Sequence, residues 1–270
     1  MMRRTLLSAA ILVWSAPMAW ADAQLTVALD RLRVADMIGI MRIEGADYAQ
    51  ALNTDFLGGQ GGGLWDGQIQ DIYDADRMYE TVRGAFDEMS DLHLQQINLF
   101  FGSELGSEII ELELAARRAM MDETIEDMAK DAYEQALDED PMQVNPLKDL
   151  ASAGDMIDRN VTGALTANYR FYRGMVDGGA FDMTDDEMLA ESWAQEADIR
   201  IETELWLMGY LMLSYRPLDE QDFQTYLAFT QTPAGRALNA AVFDGFNTMY
   251  ADISYALGRA VALNMQGADL

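Results

Sequence analysis

Apolar side chains recur every three or four residues along almost the whole chain, and this helical spacing limits the fold more than any other feature of the sequence. The last stretch shows it clearly, with apolar residues at Leu238, Val242, Phe246, Met249 and Ile253. No alternating apolar and polar run bounded by turn residues provides a convincing strand. The spacing therefore predicts an all-α protein, a helical bundle with no sheet.

Turn-forming residues divide this helical pattern into two halves. Residues 141–154 hold two of the five prolines, and we interpret them as a connector between a first helical half, residues 22–140, and a second, residues 155–270. Residues 58–63 contain five glycines in six positions. Neither a Lys-Ser nor a Lys-Thr pair follows them and no strand pattern precedes them, so they predict a flexible linker and not a phosphate-binding loop.

Two long helices are predicted on either side of the connector. One runs from Glu104 towards Leu137, and the other runs from a capping box at Thr184 and Glu187 to Tyr215. The last third of the second helix, residues 205–215, is apolar on every side but too short to span a bilayer. Such a segment either occupies the centre of a core or presents a surface to a partner helix.

The stretch from Phe229 to Arg236 predicts a tight corner between two helices. Thr232 is placed to cap the second helix, and Pro233 occupies its first turn, where no amide proton is needed. Gly235 costs about 1 kcal/mol relative to Ala inside a helix, which suggests that the preceding aromatic residue approaches closely. Thr232, the free amides of that turn and Arg236 could also hold a small anion or a partner's carboxylate, although capping alone accounts for the same residues.

The same corner recurs in the first half of the chain. A shift of 129 residues without gaps superimposes three corner residues of each half. The matched pairs are Phe100 with Phe229, Ser103 with Thr232, and Gly106 with Gly235. The sequence therefore predicts an internal duplication, with the bundle built from two pseudo-repeats of antiparallel helices.

At the second corner, Tyr226 and Phe229 precede Thr232-Pro233-x-Gly235, and an apolar helix follows. This pattern resembles the signature of a family of secreted bacterial helical domains, the domain-of-unknown-function family numbered twenty fifty-nine, over residues 190–265. Residues 65–135 would form a degenerate copy, because Glu104 stands where the family has its proline. The resemblance implies a periplasmic helical fold and brings no established activity or catalytic residue with it.

The first residues are typical of a secretory signal peptide. Arg3 and Arg4 precede an apolar run from Leu6 to Val13, and Ala19-Trp20-Ala21 forms a small-x-small cleavage site. We expect cleavage near Ala21, which leaves residues 1–21 as the signal peptide and a periplasmic or secreted chain that is not inserted in a membrane. The sequence has no cysteine, so disulfides, thiolate metal sites and thiol catalysis are excluded.

Acidic residues outnumber basic ones by a wide margin. The chain holds 46 Asp and Glu against 18 Lys and Arg, a formal net charge of -28 at pH 7. Nucleic acids and anionic membrane surfaces bind through lysine and arginine, so neither is an expected partner. An acidic surface of this kind keeps a protein soluble, and that is the simpler interpretation. The alternative is a surface that attracts hard cations or a basic partner.

No set of residues predicts a reaction. His93 is the only histidine, which excludes metal sites that need two, and neither Ser103 nor Ser107 stands in a nucleophile elbow. Acidic clusters at residues 138–140 and 182–187 lack the spacing of a calcium loop. The helically spaced methionines are typical of core filling. We therefore predict no catalytic residue, no cofactor and no metal ligand.

Three functions fit these observations. The leading hypothesis is a non-enzymatic periplasmic protein that binds another protein, or a second copy of itself, through an apolar helix face or the groove between its halves. The second is a binder of a small ligand or a cation, through the acidic clusters or that groove. The third is a hydrolase of cell-envelope material with paired carboxylates, which would require two acids facing each other in one concave pocket.

Overall fold

The computed structural model describes residues 16–139 and 141–268, and every regular element in these ranges is helical. The all-α prediction is therefore confirmed. The α-helices are Ala16–Arg31 (α1), Val34–Leu57 (α2), Gly62–Ile72 (α3), Ala75–Gly84 (α4), Asp91–Phe101 (α5), Glu104–Ala119 (α6), Glu123–Glu139 (α7), Asn145–Ala153 (α8), Met156–Asp177 (α9), Asp185–Ala194 (α10), Glu196–Tyr215 (α11), Glu220–Thr230 (α12) and Pro233–Ala268 (α13). A short 3-10 helix, Pro141–Val144, precedes α8.

The two halves of the chain share one hydrophobic core. The last helix, α13, packs along α9 and also contacts α2, α4 and α5 of the first half. Buried side chains from both halves, among them Leu29, Ile97, Leu211 and Leu257, belong to a single cluster. The segment 141–154 takes part in the same core through α8, where Leu150 is fully buried, so it is a packed element and more than a connector.

Both long predicted helices are interrupted. The first breaks between α6 and α7, where the Asp122 carboxylate accepts a hydrogen bond from the backbone amide of Thr124 and so starts a new helix. The second breaks at Gln195, between α10 and α11. Near that break the hydroxyl of Ser192 donates to the backbone carbonyl of Met188, four residues earlier. Side-chain bonds of this kind slightly destabilise a helix and often bend it. The capping box that begins α10 is confirmed.

The glycine run forms an ordered turn between α2 and α3, which differs from the predicted flexible linker. Gly58 and Gly59 adopt positive φ angles of 59° and 75°, a conformation that residues with a side chain rarely take. The buried Asn53 holds the turn, because its side-chain oxygen accepts from the amide of Gly61 and its backbone carbonyl accepts from the amide of Gly59. Trp65 then packs into the core.

The two predicted corners have the same hydrogen bonds. The hydroxyls of Ser103 and Thr232 accept from the backbone amides three residues ahead, at 3.1 and 3.0 Å, and donate to the carbonyls of Phe100 and Phe229. The corners also meet each other, since the rings of Phe100 and Phe229 stack with centroids 4.1 Å apart. Two matched residues of the halves are therefore in direct contact.

The order of elements repeats between the halves as well. The pair α1–α2 corresponds to α8–α9, α5 to α12, and α6–α7 to α13. Arg33 at the start of α2 and Asp155 at the start of α9 both have a positive φ of 51°. A common origin of the two halves stays a prediction, which this correspondence supports.

The signal-peptide prediction concerns residues 1–21, of which residues 1–15 lie outside the described part. In α1 the buried side chains Leu25, Ala28 and Leu29 all follow the predicted cleavage position, and α1 packs on α5. Within residues 16–139 and 141–268, none of the helices combines the length and the apolar character that crossing a bilayer would require.

Candidate functional site

A cavity of about 560 Å³ lies where helices of both halves meet. Its walls come from α6, α9, α11, α12 and α13, with two methionines of α2 and Phe101 of α5. Most of the lining is apolar or aromatic. Those lining residues are Leu32, Met37, Met41, Phe101, Ile110, Met156, Ala164, Ala167, Trp206, Leu207, Leu211, Phe229, Leu238, Val242, Phe243 and Phe246.

The apolar segment 205–215 of α11 forms one wall of this cavity. None of its side chains is exposed, and Leu207, Leu211 and Tyr215 are buried. The interpretation of this segment as part of the core is therefore confirmed. The alternative, a surface kept for a partner helix, has less support because α11 already packs against α6, α7 and α9.

A buried carboxyl group, that of Glu113 on α6, lies at the centre of the polar part of the lining. The hydroxyls of Tyr215 and Tyr226 both donate to its Oε1 atom, at 2.5 and 3.1 Å. The hydroxyl of Tyr210 donates to the backbone carbonyl of the same residue at 3.2 Å. Two helices, α11 and α12, thus place three tyrosine hydroxyls around Glu113, and two of them fix the position of its carboxyl group.

Burial raises the pKa of the Glu113 carboxyl above its ordinary value, because a charge is poorly solvated there. The hydrogen bonds from Tyr215 and Tyr226 oppose this shift by stabilising the charged form. Burial likewise raises the pKa of both tyrosines well above the ordinary value of 10.0, so they stay protonated and act as donors. The Glu113 side chain remains partly accessible, and it lines the cavity.

The raised pKa makes stability depend on pH in a defined direction. The folded protein holds the Glu113 proton at higher pH than the unfolded chain, so this residue costs stability as pH rises above the ordinary value of 4.5. We expect Glu113→Gln to remove that cost, so that the variant gains stability relative to the wild type as pH increases. Urea unfolding at several pH values measures it, with the exposed Glu111→Gln as control. The same pH slope for Glu113→Gln and the wild type would contradict the assignment.

A second charged group, the guanidinium of Arg117, lies one turn further along α6. It binds the Glu44 carboxylate at 2.6 Å and stacks 4.8 Å from the ring centroid of Trp206. Trp206 in turn stacks on Tyr210, with ring centroids 5.3 Å apart. Arg117 is therefore held by Glu44 and Trp206 on neighbouring helices. Within the described residues it makes no ion pair with Glu113.

Three asparagines contribute amide groups to the remaining polar lining. The side-chain nitrogens of Asn160, Asn239 and Asn247 donate to backbone carbonyls of α9 or of the turn before it, at 2.8, 2.7 and 3.4 Å. These bonds orient the amides, and the side-chain oxygens form no hydrogen bond with the described part of the chain. The three side-chain oxygens are therefore acceptors open to a ligand, and the polar lining also keeps donors, since each amide has a second N–H group and Arg117 Nε has no partner among the described residues.

The predicted corner residues divide between this cavity and its surroundings. Phe229 and Gly235 line the cavity, while Thr232 and Phe100 face a separate groove that also contains His93. The hydroxyl of Thr232 donates to the carbonyl of Phe229 and accepts from the amide of Gly235, so both of its hydrogen bonds lie inside the corner. Arg236 is exposed. The corner is therefore a structural element, and the anion-binding hypothesis has no free hydroxyl donor at Thr232.

The acidic clusters have structural roles where they are described. Asp185 forms an ion pair with Arg173, and Glu187 completes the capping box. The bond to the Thr184 backbone amide lowers the pKa of Glu187. Asp140 of the other cluster lies outside the described residues. Across the described part of the chain, no group of three or more His, Asp or Glu side chains is arranged to hold a metal ion.

Sequence reasoning missed the residues that matter most in this cavity. Glu113 is separated from Tyr215 by 102 positions and from Tyr226 by 113, so no local motif connects them. One signal was present in the sequence. Glu113 follows Ile109 by four residues and therefore lies on the apolar stripe of its helix, where a carboxylate is unusual.

Comparisons of the chain with protein-family models, with curated proteins and with solved structures found no match. The resemblance of residues 190–265 to the secreted helical family therefore stays a prediction. The case for a function rests on the cavity and its lining.

Proposed function

We propose that this protein binds a small, mainly apolar molecule in the cavity between its two halves. The observation that carries the proposal is a space of about 560 Å³ whose lining is mostly apolar or aromatic and includes a smaller number of polar groups. Small-molecule sites have this size and character. Helices of both halves line this space together, as they do in sites that form between the helices of a bundle.

This proposal favours the small-ligand hypothesis over the two others that the sequence suggested. Binding of a partner protein was argued from the apolar segment 205–215, which is covered, and from the groove between the halves, which is this cavity. A cavity of this volume accommodates a small molecule better than a helix. The signal peptide predicted for residues 1–21 supports a periplasmic or secreted site of action.

The hydrolase hypothesis required two carboxylates facing each other in one pocket. Among the described residues that line the cavity, Glu113 is the only carboxylate. Its neighbours are tyrosines, whose hydroxyls position it and are not themselves activated. We therefore propose a binding role for this site.

A neutral fluorescent probe tests the proposal. N-phenyl-1-naphthylamine, which brightens in apolar surroundings, is expected to bind saturably to the wild type. Ala167→Phe fills the cavity and should weaken binding by about tenfold or more, equivalent to about 1.4 kcal/mol, without lowering the melting temperature. The matched control is Thr166→Phe, since Thr166 is the adjacent exposed residue of α9. The proposal fails if the probe does not bind the wild type saturably, or if both variants bind it equally well.

A further inference from the structure

We propose that the cavity selects molecules with a protonated amine, and that this amine lies against the carboxyl group of Glu113. The inference rests on the proposed function, because it names the polar end of the ligand that the cavity would take. It follows from the Glu113 oxygen that has no hydrogen-bond partner, from the absence of an ion pair at this residue within the described chain, and from the acceptor atoms and aromatic rings of the lining.

Only one oxygen of Glu113 is used by the protein. Both tyrosine hydroxyls donate to Oε1, and Oε2 forms no hydrogen bond with the part of the chain that the structure describes. Glu113 also lines the cavity. Oε2 is therefore left to the space of the cavity, where a donor on the ligand could form a hydrogen bond with it.

No cation of the described chain forms an ion pair with Glu113, so nothing in the protein offsets the raised pKa of its carboxyl group by charge. Arg117 is the basic residue of the lining, and it is bound to Glu44 at 2.6 Å. A ligand with a positive charge would provide the counter-charge, and charge-assisted hydrogen bonds are the stronger ones. A ligand carboxylate would instead face Glu113 as a like charge and would be rejected.

The rest of the lining also suits a cation. The side-chain oxygens of Asn160, Asn239 and Asn247 are acceptors that the described chain leaves without a donor. The rings of Tyr215 and Tyr226, 5.6 Å apart, stand beside the carboxyl group, and aromatic faces attract ammonium groups. The net charge of -28 raises the local concentration of cations around the whole molecule.

Three matched ligands provide the test: 4-phenylbutylamine, 4-phenylbutan-1-ol and 5-phenylpentanoate share a phenyl ring on the same methylene chain and differ in the charge of the polar end. Each is titrated against the bound N-phenyl-1-naphthylamine at pH 7.5. We expect the amine to displace the probe at a concentration about tenfold lower than the alcohol, with the carboxylate weakest. Glu113→Gln should abolish the preference for the amine, which is measured as the ratio of the amine and alcohol concentrations that displace half of the probe from the same variant.

The control is Glu111→Gln, an exposed residue of the same helix, which removes the same charge without touching the cavity. If Glu113→Gln does not fold, Glu113→Met replaces it and must show the same loss. An amine that binds no better than the alcohol, or a preference that survives either change at Glu113, overturns the inference while the proposed function stands. If neither the probe nor any of the three compounds binds, the proposed function itself fails.

Discussion

Valine at position 235 is expected to destabilise the protein by about 3 kcal/mol, the upper end of what overpacking costs. A Cβ atom built on Gly235 would lie 2.2 Å from the carbonyl oxygen of Phe229 and 2.7 Å from the Cα atom of Thr230. Both are backbone atoms held by the corner's hydrogen bonds, so neither can move aside without opening the corner. The gain in helix propensity from replacing a glycine, about 1 kcal/mol at most, is smaller than this cost.

Urea unfolding of Gly235→Val against the wild type measures this effect. Gly39→Ala is the matched control, because Gly39 also lies inside a helix and no atom approaches within 4 Å of its added Cβ. That control should leave stability unchanged or raise it by up to about 1 kcal/mol. If Gly235→Val unfolds at the same urea concentration as the wild type, the corner does not have the close packing described for it.

Gly174→Val should be at least as harmful, because Gly174 lies where the backbones of α9 and α13 are in close contact. A Cβ on Gly174 would lie 2.1 Å from the carbonyl oxygen of Tyr255, and a Cβ on Gly258 would lie 2.1 Å from that of Phe171. The contact is reciprocal, so a side chain on either helix pushes against the backbone of the other. We expect a loss of about 3 kcal/mol or more.

Thermal and urea unfolding of Gly174→Val test this prediction, with Gly67→Ala as control. Gly67 lies within α3, and its added Cβ would meet no atom within 4 Å. Because α9 and α13 also form walls of the cavity, the Gly174 variant should bind the fluorescent probe more weakly even where it is still folded. A stable variant with normal probe binding would show that these helices can separate without harm.

Local signals in the sequence predicted the helical class, the capping box at Thr184 and both corners. Each of these depends on residues within one or two turns of one another. The apolar spacing and the capping hydrogen bonds that produce them are therefore visible in a short stretch of sequence. The helix breaks at Asp122 and Gln195 were missed because the apolar periodicity continues across them, and a single capping carboxylate inside a periodic run gives a weak signal.

The cavity could not be predicted in the same way. It depends on how far apart α9, α11 and α13 are held, and side-chain contacts across the whole fold decide that. The apolar character of residues 205–215 was correctly interpreted as a core signal, yet the same pattern fits a helix that packs fully and one that lines a space. Likewise, Phe100 and Phe229 were matched in the sequence, but nothing local indicated that their rings would stack on each other.

The central claim is that a small molecule binds inside the cavity and not on the surface, and methionine methyl groups report this most directly. Met37, Met41 and Met156 line the cavity, whereas Met120, Met188 and Met249 are buried elsewhere. In a ¹³C-methyl-methionine spectrum, saturating N-phenyl-1-naphthylamine should shift the first three signals and leave the second three in place. Unchanged signals for the cavity methionines, in the presence of bound probe, would contradict the claim.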